Sequence, residues 1–361
     1  MMHKPTRRMP VINQFGLFPV RVSGVRRLSE HFVRISLAGP SLHHAVNEIS
    51  DGTGDTVDAY IKLFVPPCGA PGPVDFPLNE TWRHDFMARD EAERGAMRTY
   101  TVRNSRLVPE STVAPLDVGF RPNEAADTSV LERVLPEGLI PEIDIDFVLH
   151  ADASGHMGPG ASWAAAAREG DAISFLAPLR ENNLWSSYNP AEAKRLIVAV
   201  DETAVPAALS VVRSLSPGVR ADVLLEVPGE RDVLDDDVCQ FSEVLAHLPE
   251  VRVHWLPRGC DGFAPIRGQR LQRCLREVMG VPQPEALPVA GCTPVQDAGG
   301  RPDEESEFVW GLAANPGDTY VFIAGESAMI KTLRRICVNE AGIDKSAISF
   351  MGYFKSGRAE S

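Results

Sequence analysis

Arg98, Tyr100, Thr101 and Arg103 stand together in the run Arg98-Thr99-Tyr100-Thr101-Val102-Arg103. On a strand, side chains alternate between faces, so Arg98 and Tyr100 leave on one side and Thr101 and Arg103 on the other. A guanidinium, a phenol ring and a hydroxyl in this pattern suit a ligand that joins an anionic phosphate to a flat redox ring. The guanidinium pairs with phosphate oxygens, the phenol stacks, and the threonine hydrogen-bonds a ring nitrogen. The same hexapeptide also suits an ordinary amphipathic strand with two solvated arginines.

Two further stretches have types and spacings that bear on phosphate. Gly158-Pro159-Gly160 opens an alanine-rich segment, and the free amides and positive dipole at such a helix start favour an anion. A plain loop-to-helix cap accounts for it equally well. The apolar run Arg195–Val200 leads straight into Asp201-Glu202-Thr203-Ala204 and a helical pattern, a strand–turn–helix unit of the kind that holds nucleotides at the carboxyl ends of strands. No G-x-G-x-x-G occurs, so this is not a dinucleotide fingerprint. Thr319–Ala324 and Gly325-Glu326 repeat the arrangement, with Glu326 also suited to complement a helix dipole. No arginine pair follows Glu226 to mark a 2′-phosphate site, and Arg231 is the nearby candidate.

The elements that must position these residues divide the chain in two. Short alternating runs at Phe18–Val25, His31–Leu37, Asp58–Val65, Arg98–Arg103, Glu142–His150 and Asp171–Ala177 predict a small antiparallel barrel with one helix. The Pro/Gly-rich and then charged stretch from Cys68 to Ala96 reads as a long loop with a helical turn. Beyond a polar, proline-bearing connection, apolar strands at 195–200, 221–227, 251–256 and 319–324 and an amphipathic helix at Arg267–Met279 predict a parallel α/β sheet. The expected domains are an N-terminal extension 1–16, a barrel 17–185 and an α/β domain 186–361. Residues 281–307, rich in Pro, Gly and acids without periodicity, read as a loosely held insert.

A formal net charge of −13 argues against nucleic acid or an anionic membrane as the main partner. The 6 cysteines (Cys68, Cys239, Cys260, Cys274, Cys292 and Cys337) form no C-x-x-C pair, which argues against zinc, iron–sulfur and disulfide frameworks. No metal is expected: His31, His43 and His44 lack ligand-like partners, and Asp235-Asp236-Asp237 reads as a solvated helix start. No apolar run approaches a signal peptide or a membrane span, so a cytoplasmic monomer is expected.

Arg98-x-Tyr100-Thr101 resembles the R-x-Y-[ST] flavin signature of ferredoxin-reductase-like flavoproteins. With Arg103, it is similar to that of the siderophore-interacting proteins, FAD-dependent ferric-siderophore reductases. Four further stretches resemble that family in order: Asp146–His150 followed by Gly158-Pro159 and Trp163-Ala164; Val200–Ala207; Trp255-Leu256-Pro257-Arg258; and Ala324-Gly325-Glu326, then Gly352-Tyr353-Phe354. Two departures stand out, Gly160-Ala161 for the family's Ala-Ser and Phe354 for its tryptophan.

The resemblance implies FAD in the barrel and NAD(P)H or reduced ferredoxin as electron donor, with a ferric siderophore or other ferric chelate as substrate. It assigns flavin and nucleotide contacts to Arg98, Thr99, Tyr100, Thr101, Val102, Arg103, His150, Ala151, Gly158, Pro159, Ser162, Trp163, Asp201, Glu202, Thr203, Ala204, Gly325, Glu326, Tyr353 and Phe354. Tyr100 and Thr101 would stand at the reacting edge of the ring. Lys62, Arg258 and Lys355 are the basic residues expected to meet an anionic chelate. Two other readings are a ferredoxin- or flavodoxin-type reductase serving a protein partner, and a siderophore-binding module that has lost its flavin.

Overall fold

Alternation along Glu142-Ile143-Asp144-Ile145-Asp146-Phe147 builds the centre of the N-terminal sheet. In the computed structural model, which describes residues 14–67, 69–70, 72–127, 137–151, 155–260, 265–284 and 310–355, Ile143, Ile145 and Phe147 enter the main core. The three carboxylates take the opposite face, where arginine and serine side chains from neighbouring strands hold them. The chain divides into two units, Met1–Ser186 with Leu209–Ser214, and Ser187–Ala208 with Leu215–Ser361.

The first unit contains β1 (Phe15–Arg27), β2 (Phe32–Ala38), β3 (Tyr60–Val65), β4 (Ala96–Thr101), β5 (Asn104–Pro109), β6 (Arg121–Pro122), β7 (Leu139–Val148) and β8 (Ala172–Pro178). They pair antiparallel in the order β4-β3-β8-β1-β2-β7-β5, with β6 on β1. Phe18, Ile35, Ile61, Leu63 and Phe175 join the β7 residues in the core. On the other face of β3 and β8 lies a second apolar cluster of Phe64, Phe76, Phe86, Leu176 and Trp185. It draws on the stretch read from sequence as a loop: Phe76 and Phe86 each pack edge-on to Phe64, with centroids 5.0 Å apart.

The antiparallel sheet is as expected, but it does not close into a barrel. β4 and β5 are the two ends of the pairing path. They are consecutive in the chain, and the link between them turns its amides elsewhere. Val102 N donates to the Ala59 carbonyl at 2.7 Å and Arg103 N to the Asp144 carbonyl at 2.8 Å. The chain itself crosses where a ladder would have closed the sheet. The first strand also begins at Phe15, inside the stretch expected to be an extension.

The second unit holds β9 (Arg195–Val200), β10 (Arg220–Val227), β11 (Val251–Pro257), β12 (Trp310–Gly311), β13 (Thr319–Glu326) and β14 (Ile348–Phe354), in the order β11-β10-β9-β13-β14-β12. Five strands run parallel, and β12 pairs antiparallel with β14, so the sheet is mixed rather than purely parallel. Ile197, Val198, Ala199 and Val200 are buried, as both faces of β9 are covered. Helices Gln269–Met279 and Ser327–Arg335 contribute Leu271, Leu275, Ile330 and Leu333 to that cover. The first of them starts two residues later than the periodicity predicts, because Gly268 takes a left-handed φ of 79° at its N-cap. From residue 285 to 307 the expected insert lies outside the described residues, as does the final stretch after Lys355. Among the described residues no helix is long and apolar enough to cross a membrane.

Candidate functional site

In the first unit, β4 and the start of helix Pro159–Ala166 meet. Register with β3 places Tyr100 opposite Ile61 and Arg98 opposite Leu63. Arg98 and Tyr100 therefore share the face of β4 that looks toward the main core, and Thr99 and Thr101 take the other. Arg98 Nη1 donates to the Met97 carbonyl at 2.8 Å, and Lys62 Nζ donates to Thr99 Oγ1 at 2.6 Å. Thr101, Val102 and Arg103 are buried at the strand end.

The Tyr100 ring lies 4.3 Å from Phe147 and is inclined to it by 44°; Phe147 in turn lies 5.6 Å from Trp163. Tyr100 reaches past Phe147 to the helix start, where its hydroxyl rests against Gly160. A Cβ added to Gly160 would stand 1.9 Å from Tyr100 Oη. The motif strand and the glycine–proline turn, some sixty residues apart in the chain, are thus in direct contact.

The helix start suits an anion. Gly158 is the N-cap, Pro159 occupies the first turn, and no side chain caps the helix. Proline has no amide to leave unsatisfied, and the amides after it point at the N-terminal end. Ser162, expected near a pyrophosphate, is exposed and donates to the Met157 carbonyl at 3.0 Å. His150 and Ala151 are exposed at the end of β7, and Ala151 bridges to Met157 just before the turn. Arg98, an open helix N-terminus and an aromatic pair form a set that fits a dinucleotide flavin: phosphate partners beside a flat stacking surface.

In the second unit, the carboxyl ends of β9, β10 and β13 carry an ion-pair cluster. Asp201 and Glu202 follow β9, Glu226 is the penultimate residue of β10, and Glu326 ends β13. Arg258 grips Glu202 with both nitrogens, at 2.7 and 3.0 Å, and lies 3.5 Å from Glu226. Arg267 reaches Asp201 at 3.0 Å and Glu202 at 2.6 Å. The Phe354 ring lies 5.1 Å from the Arg267 guanidinium, a cation–π distance.

Burial works to raise the Glu202 pKa, but Arg267 and Arg258 outweigh it and hold Glu202 at about 2. Burial, then the neighbouring Glu202, pushes Asp201 the other way, up from its ordinary value. Burial also raises Glu226.

Each carboxylate except Glu202 also closes a turn or helix start. Asp201 Oδ1 accepts from Thr203 N at 3.0 Å, and its Oδ2 accepts from Glu326 N at 2.8 Å. Glu326 accepts from Ala328 N at 2.7 Å and Met329 N at 2.9 Å. Glu226 accepts from Gly268 N at 2.5 Å and Leu271 N at 3.2 Å. Gly325, at φ 136°, lies so close to Asp201 that a Cβ there would be 2.5 Å from its carboxyl carbon.

Of the basic residues expected to meet substrate, Arg258 is engaged with Glu202 and its side chain is 9% exposed. Lys62 is partly buried on β3, and Lys355 is exposed after β14. Ala204 is buried, Thr203 and Tyr353 partly so. Arg267 lies in no motif, and Phe147, though inside the Asp146–His150 stretch, was assigned no contact. Arg267 looks like an ordinary helix-start cation in sequence, and its acidic partners lie far from it in the chain.

Two family models match the chain. One, described as the siderophore-interacting FAD-binding domain, matches residues 21–120 and 135–182. The other, siderophore-interacting protein, matches residues 193–357. An uncharacterized protein of Mycobacterium tuberculosis is 28% identical over 349 residues, which span 95% of this chain and 92% of that one. The ferric vibriobactin reductase ViuB of Vibrio cholerae is 25% identical over 219 residues, 61% of each chain. The crystal structure of the siderophore-interacting protein SipS from Aeromonas hydrophila shares the fold, with a TM-score of 0.54 at 18% identity over 95% of this chain and 93% of that one.

Proposed function

The chain belongs to the siderophore-interacting protein family, and we propose that it is an FAD-dependent reductase that frees iron by reducing ferric siderophores. The observation that carries this reading is the contact between Tyr100 and Gly160, which joins the Arg98–Arg103 strand to an uncapped helix start. Arg98 would pair with phosphate oxygens and the helix amides would take the rest of the pyrophosphate. Tyr100 would present its ring to the flavin, Thr101 a hydroxyl to the reactive edge, and Phe147 and Trp163 would fix the ring's position from behind.

FAD held by these residues would supply the redox chemistry that links an NAD(P)H or ferredoxin donor to one-electron ferric chelates. One hydride carries two electrons, so two Fe(III) ions would be reduced for each NAD(P)H oxidised, and one for each single electron from ferredoxin. Hard anionic oxygen ligands hold Fe(III) far better than Fe(II), so the loss of one positive charge at the metal loosens the chelate. The chain then needs no iron ligands of its own. Among the described residues no group of three His, Cys, Asp or Glu side chains is arranged to hold a metal. Lys62 and Lys355 would supply positive charge to an anionic chelate.

The test is a visible spectrum of the purified protein with FAD, followed by anaerobic NADPH and then a ferric siderophore with a ferrous trap. Flavin bands that bleach and then return as ferrous iron appears support the reading. A protein that takes up no FAD overturns it. Bleaching by reduced ferredoxin but by neither nicotinamide moves the donor assignment.

A further inference from the structure

A dinucleotide is ordinarily held in an open α/β sheet at two points. Its pyrophosphate sits on a helix N-terminus at the switch point of the strand order, and an acidic residue at the end of the second strand takes a ribose hydroxyl. The sheet order β11-β10-β9-β13 puts the switch point between β9 and β13, and makes β10 the second strand.

Both points are occupied from within. At the switch point, Asp201 is fully buried against Gly325 and accepts from Thr203 N and Glu326 N. Glu326 in turn takes the first amides of helix Ser327–Arg335. At the end of β10, Glu226 stands where the ribose acid would be, yet it is fully buried and spent on Gly268 N and Leu271 N at the start of helix Gln269–Met279. Asp201, Glu202, Glu226 and Glu326 bring four carboxylates to this edge against the guanidiniums of Arg258 and Arg267. An incoming pyrophosphate would have to displace these caps. The helix Pro159–Ala166 of the first unit is the reverse case, with no side-chain cap.

We infer that the described carboxyl ends of β9, β10 and β13 offer no subsite to the pyrophosphate or adenosine ribose of a dinucleotide, so that a nicotinamide donor gains little from its ADP half. This rests on the reductase reading. The ADP half is a non-reacting handle, and a handle that finds no partner lends no binding energy to the reaction. NADH, NADPH and reduced nicotinamide mononucleotide should then serve about equally.

The experiment has two parts, both on the full chain. In the first, flavin reduction by each of the three donors is followed anaerobically by stopped flow. Second-order rates within about fivefold of one another support the inference, whereas a dinucleotide advantage of about a hundredfold overturns it. A strong preference for NADPH over NADH also overturns it, and would point to Arg231. Reduction by none of the three overturns both this inference and the nicotinamide arm of the reductase reading. The second part is calorimetric titration with ADP-ribose, which needs no flavin. A Kd weaker than about 1 mM supports the inference and one tighter than about 0.1 mM overturns it, even if the chain proves to bind no FAD.

Discussion

The Tyr100 hydroxyl and the Gly160 α-carbon are in contact with no room for a methyl group between them: a Cβ at Gly160 would be 1.9 Å from Oη and 3.1 Å from Cζ. With alanine at 160 the phenol could not lie in this position. Glycine at 160 and the placement of Tyr100 are two sides of one packing solution.

Gly160→Ala should therefore push Tyr100 off the helix start. We expect a loss of about 1–3 kcal/mol in stability from overpacking, with weaker FAD uptake. Thermal unfolding and flavin fluorescence titration measure the two effects. Adding Tyr100→Phe removes the colliding oxygen and should recover part of both; no recovery would mean the ring is placed by something else.

Gly325→Ala meets a different obstacle, since the left-handed φ of 136° and the Asp201 carboxylate both oppose a side chain. Fitting a methyl group there must break Asp201 away from Glu326 N. A loss of about 3 kcal/mol, overpacking plus a buried hydrogen bond, is expected by denaturant unfolding.

On β7, Arg34 holds Asp146 with two hydrogen bonds, at 2.7 and 2.9 Å, and lies 3.9 Å from Asp144. Arg106 holds Asp144 at 2.6 and 3.0 Å. Arg34→Met strands a buried carboxylate and should cost about 3–5 kcal/mol, whereas Arg34→Met with Asp146→Leu should restore most of it. A double variant as unstable as the single one would contradict this account.

Acid should weaken the fold in two steps. Burial, with His44 and Arg180 nearby, lowers His43 from 6.5 to about 4. The unfolded chain therefore binds a proton that the folded chain refuses, and stability falls as pH drops from 6.5 to about 4. Glu202, held at about 2 against an ordinary 4.5, adds a second loss below 4.5, opposed by Asp201 and Glu226 of the same cluster, whose raised values let the folded chain take up protons first. His43→Gln should flatten the first step and leave the second, as judged by melting temperature across the pH series.

Much of this was legible in the chain. The alternation at Glu142–Phe147 and the continuous apolar run of β9 locate strands because the burial of one face or two is written directly in residue order. The motifs that pointed to the two candidate sites came from the resemblance to a family, not from the burial pattern. What escaped were pairings between distant residues. β5 and β12 are short and weakly patterned. The aromatics Phe76 and Phe86 cover a sheet face only once the chain folds back on it. Arg258 and Arg267 look like open basic residues until Glu202 is brought beside them, and Glu226 gives no sign in sequence that two helix amides will claim it. Net charge of single residues is visible in a sequence, but its cancellation by a partner is a property of the fold.

The open seam between β4 and β5 has a bearing on handling the protein. A strand paired on one side only exposes main-chain groups that can pair with another molecule, the usual starting point for aggregation. Residues Arg98–Thr101 of β4 lie on such an edge, beside Phe147 and Trp163, where a cofactor seated against them would act as a cover. Chains prepared without flavin should then form light-scattering aggregates sooner than loaded ones, so supplying riboflavin or FAD during expression becomes a question of solubility as well as of colour.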